Sequence, residues 1–341
     1  MPDITAITRD DIRLSFPCAV SAYVLDAAEE AGLYLPSVCR HGRCGTCRAT
    51  VISGTYDLAP HEAPLPTAPG SVLLCRCMPR ENLVVALPCR DAQIGRRKIP
   101  ERHAKIAAVS PAGEGWTALS LQLEREGEYG QAAEFTPGQF MELRIPGTAL
   151  WQAVAMVNLP NDEGVLEFLL APALSRASAG EAFATWAAGA RRGAAVELRG
   201  PLGKFALDET SPRPRCFVGA GGGLAPLLAM LRQLAAVRDR TRMYFIFEAD
   251  IAGLPLLERS LAALRAALPQ LTVALAPGGA AAALIEQLAK LPSTDIYVSG
   301  PLPMLDAVVA AARAHGVPEA QIKSEPSGGV RDGAAGLLTE V

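Results

Sequence analysis

The chain of 341 residues has no apolar run approaching the roughly 18 residues that a membrane-spanning helix needs. Its opening, MPDITAITRDD, is acidic and has no apolar core behind it, unlike a secretory leader. Both absences predict a cytoplasmic protein with no membrane span. Neither sign of charge is in surplus: 32 Lys and Arg stand against 35 Asp and Glu, a formal net charge of -3. That balance argues against the basic footprint of a nucleic-acid binder and against a polybasic membrane patch. No internal repeat is evident, and with half the residues hydrophobic and a fifth charged the chain is neither disordered nor low in complexity. The length is too great for one ordinary core, so about three small domains are expected.

What the chain does have is cysteine, concentrated at one end. Seven of the eight (Cys18, Cys39, Cys44, Cys47, Cys75, Cys77 and Cys89) precede residue 90, and Cys216 stands apart. In a chain with no leader, metal ligation explains such a cluster better than a disulfide framework. Cys39-x4-Cys44-x2-Cys47, followed by Cys75, has the spacing of a plant-type [2Fe–2S] site, in which a tight loop brings three thiolates together and a distant fourth closes the set. Gly42 and Gly45 stand where such a loop needs unusual backbone angles or close approach. A zinc site is the competing reading, and the spacing opposes it, because zinc pairs usually come as two short C-x2–4-C units. Cys18, Cys77, Cys89 and Cys216 read as small core residues, with Cys77 also a candidate redox-sensitive neighbour of the ligands. His41 reads as a solvated loop residue, since four thiolates suffice. Arg40, Arg43, Arg48 and Arg76 ring the cysteines. They read as a solvated rim, or else as charges that raise the potential or meet an acidic partner.

Periodicity divides the chain further. Alternating apolar positions at Ile4 and Ala6, then Ile12, Leu14 and Phe16, precede a helical AYVLDAAEEAG, and NLVVALP follows Cys75, so residues 1–92 form the first domain. The basic stretch over 93–103 reads as a linker. Residues 104–209 are strand-rich and broken by TPGQF, IPGT and RGPLG, which predicts a small antiparallel barrel with one helix near EAFATWAAG. From 213 to 325, short apolar strands (RCFVGA, RMYFIF, LTVALA, DIYVSG) alternate with amphipathic helices, the pattern of a parallel sheet covered on both faces. Residues 326–341 are expected to form a loose tail.

CRHGRCGTCRATVISG, LLCRCMP, FTPGQFMELRIPGT, NLPNDEGVLEFLL, VELRGPLGKF, GGGLAP and YVSGPLPMLDA together resemble the reductase component of soluble diiron monooxygenases, the methane, phenol and toluene type, within the ferredoxin–NADP reductase superfamily. The resemblance covers nearly the whole chain. It implies a multidomain protein: an α+β β-grasp ferredoxin-like domain, an antiparallel flavin-type barrel and an α/β NAD(P)-type domain. It also implies the chemistry, in which NAD(P)H gives a hydride to FAD and FAD passes single electrons to a [2Fe–2S] cluster on Cys39, Cys44, Cys47 and Cys75, for delivery to an oxygenase or hydroxylase.

Several family positions hold other residues here. The Arg-x-Tyr-Ser strand that receives the flavin reads Gln152, Val154 and Ala155 at its Arg, aromatic and Ser positions, and the helix-start Ser is Ala184, with Thr185 beside it. On the nicotinamide side, Gly-Gly-Thr-Gly has become Ala220-Gly221-Gly222-Gly223 and Cys-Gly-Pro-Pro has become Ser299-Gly300-Pro301-Leu302. The Gly-x-Arg motif reads Ile246-Phe247-Glu248, and the terminal Glu-x-Phe reads Glu325-Pro326-Ser327. Ser299 and Glu325 thus occupy the hydride-site positions, while Gly138, Gln139, Gly200, Pro201, Gly203, Pro226, Gly300 and Pro301 persist. Arg144, Arg176 and Lys204 are the candidate substitutes for the missing phosphate-binding Arg. Two functional readings follow. One is an NAD(P)H-dependent flavin and iron–sulfur reductase. The other is a [2Fe–2S] carrier or complex subunit, charged by a separate reductase, whose reductase module is structural or serves for docking.

Overall fold

The computed structural model describes the chain except for residues 38, 39, 41, 43, 44, 62–64, 66–68, 97, 114, 128, 129, 149, 173–178, 249–254, 278, 291, 292, 328 and 333–341. It divides into two compact units, Met1–Ile99 with Ala149–Trp151 and Gly329–Val341, and Pro100–Thr148 with Gln152–Gly328.

The first unit carries β1 (Asp3–Ile7), β2 (Arg13–Pro17), helix α1 (Val24–Glu30), β3 (Arg48–Ser53), β4 (Tyr56–Leu58), β5 (Ser71–Leu73), β6 (Cys77–Pro79) and β7 (Leu83–Ala86). The sheet runs β2-β1-β7-β3-β5, with β4 and β6 as a separate ribbon. β1 is antiparallel to β2 and parallel to β7, the mixed pairing of a β-grasp domain. The expected alternation holds, since Ile4, Ala6 and Phe16 are buried, and α1 turns Val24, Leu25, Ala27 and Ala28 onto the same core. The stretch after β7 is packed rather than slack. Ile94 is in the core, and Tyr34 and Gly95 exchange backbone hydrogen bonds of 2.9 and 3.0 Å.

The second unit contains a barrel and a parallel sheet. The barrel strands are β8 (Glu101–Gly113), β9 (Trp116–Leu123), β10 (Phe140–Arg144), β11 (Leu150–Ala155), β12 (Val165–Leu170) and β13 (Ala195–Leu202), with α2 (Ala179–Gly189) before the last. Their spatial order is β12-β9-β8-β13-β10-β11. β8 begins at Glu101, inside the stretch expected to be linker; buried Arg102, Ala104 and Ile106 alternate along it, so its pattern is that of a strand despite the flanking charge.

The parallel sheet follows: β14 (Arg215–Ala220), α3 (Leu224–Ala236), β15 (Met243–Glu248), α4 (Pro255–Ala267), β16 (Leu271–Leu275), α5 (Ala280–Leu288), β17 (Asp295–Gly300), α6 (Leu302–Ala314) and β18 (Ile322–Pro326). The order is β16-β15-β14-β17-β18, every neighbouring pair parallel. The order reverses between β14 and β17, and in open α/β sheets ligands bind outside the carboxyl ends of the strands at such a point. Barrel residues Trp116, Val157 and Phe205 share one apolar core with α3, α4 and Tyr297, whose ring stacks on Phe217 at 5.3 Å. Of the tail expected to be loose, Gly329–Asp332 forms a strand, β19.

Candidate functional site

The thiol loop leads from α1 to β3. Cys47 and Cys75 are buried, at 4% and 2% exposure, with their Sγ atoms 3.3 Å apart. The Leu74 amide donates to the Cys47 carbonyl at 3.0 Å, which ties the two cysteine segments together. Cys39, Cys44, His41 and Arg43 lie outside the described residues. Gly42 and Gly45 have φ of +74° and +69°. A Cβ on Gly42 would stand 2.7 Å from His61 Cβ, so the turn requires glycine for its space as well as its angle.

Arg40 and Arg76 are not part of a solvated rim. Arg40, itself at φ +57° and with a side chain only 9% exposed, reaches back to α1 and pairs with Asp26 at 3.3 Å and with Glu29. Arg76 lies over the Tyr23 ring, 5.7 Å from its centroid. Both cations are used inside the domain, where they hold the loop against the helix. Sequence spacing gave no signal of this, because the partners are 11 and 14 residues away on another element.

The remaining described cysteines are buried and form no disulfide with one another, as core residues should be. Desolvation pushes Cys77 and Cys216 up to about 12 and Cys18 to about 11, so at neutral pH they stay as thiols.

At the switch point, Gly221–Gly223 make a single 3-10 turn between β14 and α3. A Cβ on Gly223 would overlap the Ser299 carbonyl group, so glycine here lets the turn close onto the end of β17. A Cβ on Gly300 would approach Ala220 O at 3.1 Å. Pro226 is buried in the first turn of α3, and Pro301 precedes α6 as its N-cap. Ser299 pairs in register with Glu325 on β18. Ser299 is 1% exposed, and its Oγ has no hydrogen-bond partner among the described residues; nor has Glu325 Oε1. Burial pushes the Glu325 carboxyl up to about 8. Two orphaned polar atoms therefore lie on neighbouring strand ends, beside a turn that only glycine fits.

β11 lies beside β10 in the barrel sheet. Gln152, Val154 and Met156 are buried, alternating with half-buried Trp151, Ala153 and Ala155. The Gln152 amide donates to the Ala153 carbonyl at 3.1 Å. Ala155 packs on the core shared by Val157 and Phe205. On α2, Ala184 is half-buried and Thr185 is exposed.

Residues 7–80 match the family of 2Fe-2S iron-sulfur cluster binding domains. Across 313 residues the chain is 31% identical to the ferredoxin--NAD(+) reductase component of the alkene monooxygenase system of Xanthobacter autotrophicus, covering 87% of this chain and 92% of that protein. The chain belongs to the reductase components of oxygenase systems. The electron transfer component of toluate 1,2-dioxygenase from Pseudomonas putida is likewise 31% identical, over 89% of this chain and 91% of its own. Among solved structures, the ferredoxin reductase of carbazole 1,9a-dioxygenase in its FAD apo form aligns with a TM-score of 0.68 at 23% identity, over 95% of this chain and 98% of that one, a likeness of fold. Relatives of this kind along the whole length favour the reductase reading over a carrier with a structural module.

Within this reductase-component chain, the groups implied by the family fit unequally. The two described thiols, buried and close together on a turn that needs glycine, fit a [2Fe–2S] cluster. The glycine turn and the orphaned Ser299 and Glu325 atoms fit the reacting end of a nicotinamide dinucleotide. The side chains at the flavin positions do not fit a tightly held FAD. Gln152 supplies a neutral amide already bonded to its own strand, and Val154 and Ala155 supply no polar atom. Losing a charged hydrogen bond costs about 1.5–3 kcal/mol.

The candidate substitutes do not restore an anchor. Arg144 donates to Glu197 at 2.7 Å and to Thr148 O at 3.0 Å. Lys204 is exposed, and Arg176 lies outside the described residues.

The family positions that persist have structural work of their own. Asn158 Nδ2 donates to Val165 O at 2.8 Å while its Oδ1 accepts from the Glu167 amide at 2.9 Å, closing the turn from β11 to β12. Gln139 Nε2 donates to Gly203 O at 3.0 Å, and a Cβ on Gly138 would overlap Phe205 O. Glu248 is also structural here, since its carboxylate accepts the Ala280 amide at 3.0 Å at the start of α5. Among the described residues no helix is long and apolar enough to cross a membrane.

Proposed function

We propose that this chain is the electron-delivering component of an oxygenase system, taking reducing equivalents from a nicotinamide dinucleotide and releasing them to an oxygenase through a [2Fe–2S] cluster on Cys39, Cys44, Cys47 and Cys75. The observation that carries the reading is the pair of buried thiols, Sγ to Sγ 3.3 Å, on a loop inside the matched iron–sulfur region. When bound, the cluster supplies storage for one electron at a time. The chain's own residues bind and shield it. Cys47 and Cys75 present thiolates on a core that excludes water, Gly42 and Gly45 let the backbone turn closely round them, and Arg40 pins the loop to α1. At the other end, Gly221, Gly222, Gly223, Pro226, Gly300 and Pro301 shape the dinucleotide cradle, and Ser299 and Glu325 offer it polar atoms. A cytoplasmic location belongs to the same proposal, supported by cysteines that, among the described residues, are buried and form no disulfide.

The test is purification without oxygen, followed by iron and acid-labile sulfide analysis and visible spectra before and after chemical reduction. About two irons and two sulfides per chain, with absorption that bleaches on reduction, are expected. Cys75→Ser protein should lose that absorption and its ability to pass electrons from dithionite-reduced protein to cytochrome c. Zinc in place of iron, or undiminished electron delivery by the serine variant, overturns the reading.

A further inference from the structure

We infer that Ser327 is a binding residue of the dinucleotide site, its hydroxyl donating to the diphosphate of the nicotinamide dinucleotide in place of a hydroxyl that the glycine turn lacks. The inference rests on the reading that Gly221–Gly223 and the start of α3 receive a dinucleotide, and every residue it uses lies within the second unit. Two departures from the family motifs meet here. Gly222 stands where Gly-Gly-Thr-Gly has its Thr, and Ser327 stands where Glu-x-Phe has its aromatic ring. Far apart in the chain, they are neighbours in space: a Cβ on Gly222 would meet Ser327 Cβ at 3.6 Å and Ser327 Oγ at 3.8 Å. One position has lost a hydroxyl, and the position beside it has gained one.

The surroundings hold that hydroxyl in place and leave it available. The Ser327 amide donates to Gly300 O at 2.9 Å, which fixes the residue against the carboxyl end of β17. Its side chain is half-buried, within reach of a ligand, and makes no hydrogen bond among the described residues, so it is not spent as a cap on the turn. The turn has nothing equivalent of its own. Neither the 3-10 turn nor α3 has a side-chain cap, and no acidic residue stands in the first turn of either, so nothing there competes with an anion. At such a switch point the diphosphate of a dinucleotide lies on the backbone amides of the turn and the helix start. Glycines give those amides and no side-chain donor. Ser327 adds the donor from the facing strand end, and a hydrogen bond to a charged phosphate contributes about one to two decades of affinity.

The experiment is calorimetric titration of NAD+ into the full-length, cluster-containing protein and three variants, with melting temperatures measured on the same samples. Ser327→Ala should weaken NAD+ binding about 10- to 100-fold and melt within about 2 °C of the parent, because the side chain holds no other residue. Ser327→Asp should bind at least as weakly as the alanine variant, since a carboxylate there repels the diphosphate. Adding Gly222→Ser to Ser327→Ala should restore the affinity to within about fivefold of the parent. Gly222 has room for the added Cβ, and the hydroxyl returns to the turn. Ser327→Ala protein that binds NAD+ within about twofold of the parent overturns the inference and leaves the dinucleotide reading intact. So does a double variant as weak as Ser327→Ala, or weakened binding that comes with a melting temperature lowered by more than about 5 °C, which would make the role of Ser327 structural. Parent protein that holds its cluster yet binds no NAD+ at about 10 mM sinks the dinucleotide reading itself, and the inference with it.

Discussion

Gly222 and Gly223 are neighbours in one turn and differ in what a methyl group would meet. At Gly223 a Cβ would overlap the Ser299 carbonyl, a backbone group held in the β14–β17 pairing; at Gly222 the nearest atom is Ser327 Cβ at 3.6 Å, an ordinary contact. Gly223→Ala should therefore cost about 1–3 kcal/mol or more by overpacking and lower the melting temperature by roughly 2–12 °C. Gly222→Ala should melt within about 1–2 °C of the parent. Equal effects in thermal unfolding would show that the close approach at Gly223 is not the constraint.

Glu325 carries a pH signature. Burial raises its folded-state pKa to about 8 from the 4.5 ordinary for a glutamate. Between those values the unfolded chain has released the proton and the folded chain still holds it, so stability falls as pH rises through this window and levels off above it. Glu325→Gln removes that slope. The variant's melting temperature, relative to the parent's, should rise from pH 5 to pH 8, and a constant difference would rule out Glu325 as the source.

At the scale of elements, the cluster loop is held by the arginine inside it. Arg40 joins the loop to Asp26 and Glu29 on α1 with a side chain only 9% exposed, against 30% and 16% for its partners. That places the contact between a surface pair and a buried one, so Arg40→Gln should cost about 1–3 kcal/mol. The loss should appear first as faster bleaching of the cluster absorption on mild heating. Unchanged bleaching would mean the loop holds its shape without the clamp. Another such tie is Arg215, fully buried at the start of β14, which reaches Asp239 at 3.2 Å, Thr241 Oγ1 at 2.6 Å and Ser211 O at 3.0 Å. One guanidinium thereby joins the entry to the sheet with the turn before β15.

At the scale of the whole molecule, the two units have separate apolar cores. Ile4, Phe16, Leu25, Leu74 and Val85 belong to one, and the residues around α3 and Tyr297 belong to the other. Metal binding is coupled to folding where the ligands lie in the core, as Cys47 and Cys75 do. Stripping the cluster with a chelator under reducing conditions should therefore lower the unfolding temperature of the first unit by at least about 5 °C. The second unit should shift by less than about 1 °C. Calorimetry of holo and stripped protein separates the outcomes, and a common downward shift of the whole profile would show that the units unfold together.

The sequence by itself determined those features whose cause is local. The cysteine spacing requires a tight turn, and φ of +74° and +69° at Gly42 and Gly45 is the turn it requires. Short apolar strands alternating with amphipathic helices can bury both faces only as a parallel sheet, and the five strands β14 to β18 form one. The tertiary structure decided matters of partnership between residues far apart in the chain. That Arg40 is a clamp, that residues 89–95 are packed into the first unit, and that Asn158 and Gln139 persist as turn-holding groups all depend on contacts no spacing rule encodes. The same division applies to the flavin strand. Its composition showed which side chains were missing. The fold showed that Gln152 is already bonded to its own strand, that Arg144 is held by Glu197, and that Ser299 Oγ and Glu325 Oε1 have no hydrogen-bond partner among the described residues, because hydrogen bonds are satisfied in space and not along the chain.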